Sequence, residues 1–168
     1  NLKPKSGKKF KILSIGRLHY QKGFIYLIKS MRSIVKAHDN VELIIAGDGE
    51  EKTNLVNEIN SLSLKKYIKL LGNVSYKELP GLYASANLFV LPSRNEGLGI
   101  VFLEALACGL RIVLPKIPGI SDFILGKKNN IGLETSYKAN DIEKKILFFY
   151  KNCKKRHQFE CRARVNEL

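Results

Sequence analysis

The chain has 168 residues, 45% of them hydrophobic and 26% charged, which provides for one domain with its own core and excludes a disordered or low-complexity chain. No apolar run reaches the roughly 18 residues of a membrane-spanning helix, and no apolar signal core follows the lysine-rich start. The net charge of +14 is uneven: residues 1–36 carry ten Lys or Arg and no acid, residues 37–126 eight basic and ten acidic residues, and residues 127–168 eleven basic and five acidic.

Residues 1–9, with Pro4, Ser6 and Gly7 among lysines, read as a linker. Residues 10–16 (FKILSIG) are a short β-rich run closed by glycine, the pattern of a buried parallel strand. Residues 23–38 place Ile25, Leu27, Ile28, Met31, Ile34 and Val35 at helical spacing. A second strand is predicted over 41–47 (VELIIAG) and a second helix over 50–64. A third strand follows at 68–72 and a short helix at 79–86, with Pro80 in its first turn, where no amide donor is lost. Residues 88–92 predict a fourth strand, and 99–108 a strongly apolar helix with Gly109 as its C-cap. A fifth strand is predicted at 111–114 and a sixth at 131–133. From Asp141 the chain reads as a helix fading into a basic tail over 141–168.

The cysteines, Cys108, Cys153 and Cys161, are odd in number and lack metal-ligand spacing, which predicts a reduced, cytoplasmic protein with no metal site. Cys108 reads as a core thiol.

Strands alternating with helices predict an α/β fold, a doubly wound parallel sheet over residues 10–140 with right-handed crossovers. Ligands of such sheets bind at the carboxyl ends of the strands. That rule selects residues 16–23, 47–50, 72–75, 92–99 and 115–122, where the unusual residue clusters fall.

In the first loop, Gly16 permits close backbone approach and Arg17 and Lys22 are positioned to converge on a diphosphate. His19 reads as a loop histidine. The second loop, Ala46-Gly47-Asp48-Gly49-Glu50, lacks the third glycine of a dinucleotide fingerprint, since Lys52 stands there. It reads as a helix start capped by Asp48 or its neighbours, with Glu50 and Glu51 favourable to the helix dipole. The most informative stretch is PSRNEGLGIVFLEALACGLRIV, residues 92–113. Glu96 lies in a glycine-bearing turn. Gly97 and Gly99 leave the amides of Gly97, Leu98, Gly99 and Ile100 exposed at a helix N-terminus, an anion or hydroxyl site. Glu104 follows eight residues later, a rise of roughly 12 Å in unbroken helix, the scale of the sugar-to-ribose separation in a nucleotide sugar. A carboxylate suits a vicinal diol such as the ribose hydroxyls. Buried beside Phe102, Leu103, Ala105 and Leu106, it needs a partner.

Glu96 and Glu104 match the E-x7-E motif of retaining GT-B glycosyltransferases of family 4. The match extends to Glu-Gly-Leu-Gly at 96–99, Leu-Glu-Ala-Leu-Ala-Cys-Gly at 103–109, Gly16-Arg17-Leu18, Lys22-Gly23, Ala46-Gly47-Asp48-Gly49 and Gly72-Asn73-Val74. The chain resembles the Rossmann-like C-terminal, donor-binding domain of such an enzyme over about residues 10–135. The resemblance implies transfer, with retention, of a sugar from a UDP- or GDP-sugar to a glycan or lipid acceptor, with no required cofactor and no metal. It assigns Arg17 and Lys22 to the diphosphate, Glu96 to the donor sugar, the amides of residues 97–100 to sugar and phosphate, and Glu104 to the ribose. Gly16 belongs to the donor loop, and Asn73 and Val74 border the base.

The sequence departs from that pattern at Leu98, where phenylalanine is frequent, and at Arg111, where proline is usual. The Gly-Gly-x-x-Glu loop appears as Pro118-Gly119-Ile120-Ser121-Asp122, which bears on sugar identity more than on nucleotide binding. The resemblance also implies an N-terminal acceptor domain or a partner subunit, and predicts little or no transfer by this chain alone. The alternative is a non-catalytic nucleotide-sugar-binding subunit. The basic ends suit a solvated surface, an anionic membrane face or a phosphorylated acceptor, hence a peripheral position at the cytoplasmic membrane face. Nucleic acid is not expected as a partner.

Overall fold

Six strands, β1 (Phe10–Ile15), β2 (Val41–Ala46), β3 (Ile68–Gly72), β4 (Leu88–Val90), β5 (Arg111–Pro115) and β6 (Gly132–Thr135), form one sheet in the order β3-β2-β1-β4-β5-β6. Every pairing is parallel. The structure, a computed structural model, describes residues 9–126, 130–152 and 158–168. β2 and β5 are buried along their whole length, as expected where helices cover both faces of a parallel sheet. Apolar, β-branched runs such as VELIIA suit that position because neither side of the strand meets water.

The crossovers are helical: α1 (Phe24–Ala37), α2 (Lys52–Ser61), α3 (Leu79–Ser85), α4 (Ile100–Ala107) and α5 (Ile120–Leu125), with α6 (Ala139–Lys151) and α7 (Gln158–Asn166) closing the chain. α1 buries Phe24, Leu27, Ile28, Met31 and Ile34, spaced three and four apart. α6 packs against it through Ile142, Ile146, Phe149 and Tyr150. At the centre, Ile12 and Leu13 are wholly buried. Each such side chain contributes about 1.5–3 kcal/mol of burial free energy.

β1 pairs with β2 in full register, Phe10 opposite Val41 through Ile15 opposite Ala46. The chain then returns past β1 to lay β4 on its other side. The sheet order therefore reverses between β1 and β4, the kind of switch point at whose carboxyl ends ligands of such sheets bind. The first and fourth loops follow β1 and β4 at that point.

Several local expectations are corrected. Residues 120–122, read as part of a loop, open α5 directly after Gly119. β4 ends at Val90 and β6 runs from Gly132 to Thr135. α2 starts at Lys52, with Glu51 in the cap position and no side-chain cap bond, so Asp48 does not cap it. Asp48 instead accepts from the Gly49 amide at 2.8 Å and pairs with Lys52 at 2.8 Å. The Lys52 ammonium and that amide hold its carboxyl below the ordinary value. Gly109 closes α4 as expected: with φ +80° it lets its own amide reach Leu106 and that of Leu110 reach Ala105, at 2.8 and 2.9 Å.

Cys108 is only half-buried; among the described residues the fully buried thiol is Cys161 of α7. Arg111, in place of the usual proline, stacks its guanidinium 4.6 Å from the Phe149 ring and donates to the Asn152 carbonyl at 3.3 Å, fastening α6 to the start of β5. α7 packs on α4, and its Arg164 donates to the Ile124 carbonyl at 3.0 Å. Cys153, His157 and residues 1–8 of the expected linker lie outside the described residues. Among the described residues, no helix is long and apolar enough to cross a membrane.

Candidate active site

The carboxyl-end loops are joined backbone to backbone, and two glycines make this possible. Gly23 (φ +72°) closes the first loop, and a Cβ there would lie 2.2 Å from the Pro92 carbonyl oxygen. Gly47 (φ +137°) begins the second, and a Cβ there would lie 2.0 Å from the Gly16 carbonyl oxygen. Hydrogen bonds complete the seams. The Gly16 amide donates to Ala46 at 3.0 Å, Leu18 to Asp48 at 2.9 Å, Gly47 to Gly72 at 2.7 Å and Arg94 to Gln21 at 2.6 Å. The Ser93 hydroxyl lies 3.3 Å from the Gln21 carbonyl and 2.8 Å from that of Asn95. The glycines that resemble a dinucleotide fingerprint therefore serve loop-to-loop packing.

Lys22 and Glu96 meet across the seam between the first and fourth loops, Nζ to Oε1 at 2.9 Å. The Glu96 side chain is 7% exposed and that of Lys22 26%. An ammonium has three protons, so Lys22 can hold Glu96 and still donate to a phosphate oxygen. Arg17 is not brought onto the same partner. Its side chain is 73% exposed and contacts Glu50 at 3.5 Å, an exposed pair at the limit of useful geometry. His19 accepts the Gln21 amide on Nδ1 at 3.3 Å, which puts its proton on Nε2, 3.3 Å from Glu50. The Glu50 backbone amide, with His19 and Arg17, holds the Glu50 carboxyl below its ordinary value. The expected convergence of Arg17 and Lys22 is not seen: Lys22 is seated on Glu96, and the exposed Arg17 reaches Glu50. Glu50 turns to the first loop instead of serving the α2 dipole.

α4 begins at Ile100, after Gly99 (φ +64°), with no side-chain cap. Among the described residues the amides of Gly97, Leu98, Gly99 and Ile100 donate to no protein acceptor. With the helix dipole behind them, these unused donors are of the kind that suits an anion. Because helix starts only at Ile100, the segment from Glu96 to Glu104 is half turn and half helix. The 12 Å helical rise is therefore corrected to about 6 Å of helix plus the turn.

Glu104 sits one turn into α4, and its Oε2 accepts from the Tyr83 hydroxyl at 2.8 Å. That hydroxyl also lies 3.4 Å from the Val101 carbonyl. Burial, reinforced by Glu104, raises the Tyr83 hydroxyl above its ordinary value, so it remains a donor. Among the described residues Glu104 has no cationic partner, and nothing donates to its Oε1. Tyr83 was not found from sequence. Its signal was present: a tyrosine on the apolar face of a short helix needs a partner for its hydroxyl, and Glu104, expected to be buried but in fact half-buried, can accept from it.

Asn73 and Val74 directly follow β3, Asn73 exposed and Val74 half-buried. The amide and hydroxyl of Ser75 bond Glu78 at 3.1 and 2.6 Å and close this third loop. The Glu78 carboxyl is held below its ordinary value by those bonds. Asp122 lies exposed in the first turn of α5. Among the described residues no group of three His, Cys, Asp or Glu is arranged to hold a metal ion.

Comparison with known proteins gives this arrangement a family. The chain is 40% identical over 120 residues to an uncharacterised glycosyltransferase of Methanocaldococcus jannaschii, covering 71% of this chain and 30% of that protein. It is 30% identical over 131 residues to the phosphatidylinositol N-acetylglucosaminyltransferase GPI3 subunit of Saccharomyces cerevisiae, covering 78% of this chain and 29% of that one. The chain thus spans about a third of the length of the curated relatives it matches. Among solved structures, TarM of S. aureus, complexed with fondaparinux, α-GlcNAc-glycerol and UDP, superimposes with a TM-score of 0.82 at 26% identity over 99% of this chain and 34% of its own. The C-terminal domain of a group 1 glycosyl transferase (LpcC) from Francisella tularensis superimposes with a TM-score of 0.82 at 20% identity, over 95% of this chain and 86% of its own. The sheet is that of the Rossmann-like C-terminal domains of GT-B glycosyltransferases. Residues 2–166 match the family described as Glycosyl transferases group 1, and the chain belongs to that family.

Proposed function

We propose that this chain is the donor-binding domain of a retaining glycosyltransferase of family 4, taking a sugar from a UDP- or GDP-sugar. The observation that carries the reading is the Lys22–Glu96 pair at 2.9 Å, set beside the uncapped start of α4 at the sheet switch point. A cation, a shielded carboxylate and free amides gather there at the switch point of the sheet. The diphosphate would lie across the α4 amides, with Lys22 beneath it and Arg17 swinging in from the rim. Departure of the nucleotide leaves charge on the β-phosphate. Preorganised cations and amides in a water-poor site stabilise such charge more than bulk water does. Glu96 would hold hydroxyls of the donor sugar, Glu104 the ribose, and Asn73 and Val74 the edge of the base, with Gly16 keeping the first loop low. UDP occupies the structures of TarM and of HepE from Anabaena, which supports a nucleoside diphosphate here.

The acceptor, a glycan or lipid, would be held by protein outside these residues, and transfer by this chain alone would be slow or absent. A second reading, a binding subunit of a larger assembly, draws on the yeast relative, which is named as a subunit. Calorimetry with UDP-, GDP- and ADP-sugars tests donor binding, with Glu104→Ala and Arg17→Ala alongside. One nucleotide sugar should bind, and each variant should weaken it by about tenfold or more, the loss of a charge-assisted bond. Binding of none, or equal binding by both variants, rejects the proposal.

A further inference from the structure

The contact between Tyr83 and Glu104 joins α3 to α4, and neither residue needs the other for the fold alone. Tyr83 is 2% exposed. Its ring already packs 5.8 Å from that of Phe89, which in turn stands edge-on to Phe102 at 5.6 Å. The Val101 carbonyl lies within reach of the hydroxyl. A neutral acceptor would therefore satisfy the phenol without the desolvation of a carboxylate that has no counter-cation among the described residues. Glu104 is a flexible side chain on a helix that otherwise buries Phe102, Ala105 and Leu106. Left alone, it would sample several rotamers, and a ligand would have to immobilise it on binding.

From this we propose that Tyr83 is a positioning residue of the nucleotide site. Its hydroxyl fixes the Glu104 carboxylate by Oε2, so that Oε1 and the remaining lone pair of Oε2 are presented, already ordered, to the two ribose hydroxyls. This rests on the reading of Glu104 as the ribose-binding carboxylate. Each carboxylate oxygen has two lone pairs, so accepting from Tyr83 does not exhaust Oε2. Tyr83 touches no ligand itself. Its contribution is selective for the ribose, because it acts only through the group that reads the diol.

The test compares binding of UDP, GDP or ADP, whichever binds tightest, with binding of its 2′,3′-dideoxy counterpart. Wild type should prefer the ribonucleotide by about tenfold or more, the worth of hydrogen bonds to a charged acceptor. Tyr83→Phe keeps the ring and removes the hydroxyl. It should lower ribonucleotide affinity about fivefold to tenfold and leave dideoxynucleotide affinity unchanged, so that the preference collapses. A purely structural tyrosine would weaken both ligands equally. Should Tyr83→Phe fail to fold, Tyr83→4-aminophenylalanine retains a ring donor and Tyr83→4-methylphenylalanine fills the same space without one. The first should keep the preference and the second lose it. A wild type without preference overturns the Glu104 reading, and this proposal with it. A wild type that discriminates, beside a donor-less variant that discriminates equally, overturns the role of Tyr83 alone.

Discussion

Replacing Lys22 by alanine strips the Glu96 carboxylate of its partner while its side chain stays 7% exposed. Removing one member of a buried pair costs about 3–5 kcal/mol because the other charge stays uncompensated. Lys22 is itself 26% exposed, so water reaches part of the pair and the cost falls to about 2 kcal/mol. In a domain of this size that lowers Tm by roughly 4–8 °C. The chemistry also predicts how to reverse it: Glu96→Gln removes the stranded charge, so the Lys22→Ala/Glu96→Gln protein should regain most of the stability. Calorimetric melting of wild type, both single variants and the double variant gives the coupling energy directly. The double variant should still fail to bind donor, since both proposed ligand contacts are gone. Strictly additive melting effects, or a Lys22→Ala protein melting with wild type, would refute the idea that this pair is a shielded, stored charge centre.

Gly23→Ala forces a side chain to φ +72° and drives its Cβ to 2.2 Å from the Pro92 carbonyl oxygen; denaturant unfolding should show a loss of about 2 kcal/mol or more, with donor affinity falling as the first and fourth loops part. Arg94 lies 5.3 and 5.7 Å from the Tyr26 and Tyr137 rings, so Arg94→Met should lower stability by about 1–2 kcal/mol in the same assay, and an unchanged midpoint would count against a stabilising role for these two contacts. Glu42 is almost wholly buried between Lys69 at 2.9 Å and Lys9 at 3.2 Å. Burial raises its carboxyl, but the two ammonium groups outweigh burial and hold it below the ordinary 4.5. Its stabilisation is therefore complete above about 4.5 and is lost as pH falls through the depressed folded value. Melting from pH 7 to pH 3 should fall more steeply in wild type than in Glu42→Gln, and parallel curves would contradict this.

The sheet was legible because its strands are short, apolar and closed by glycine, a pattern that admits few other folds. The strand-end rule then selected loops that the structure joins backbone to backbone. What escaped was set by contacts between distant segments. α5 is six residues long and follows Pro118-Gly119, so its period is too brief to register beside two strong turn signals. Asp48 read as a helix cap because an acid after glycine commonly is one; Lys52, four residues on, claims it instead. Arg17 and Lys22 look equivalent in sequence, and only the packing of the fourth loop on Gly23 decides that Lys22 receives Glu96. Tyr83 and Glu104 each announced a need for a partner, but 21 residues separate them and nothing local matches one to the other.

The proposed donor site requires these loops to meet around one nucleotide sugar, and a crystal structure of the chain with its preferred nucleotide sugar tests that most directly. The Glu104 carboxylate should lie about 3 Å from the ribose hydroxyls, with the diphosphate on the amides of residues 97–100 and Lys22 touching both phosphate and Glu96. A nucleotide bound elsewhere on the sheet edge, with Glu104 still held only by Tyr83, would contradict it.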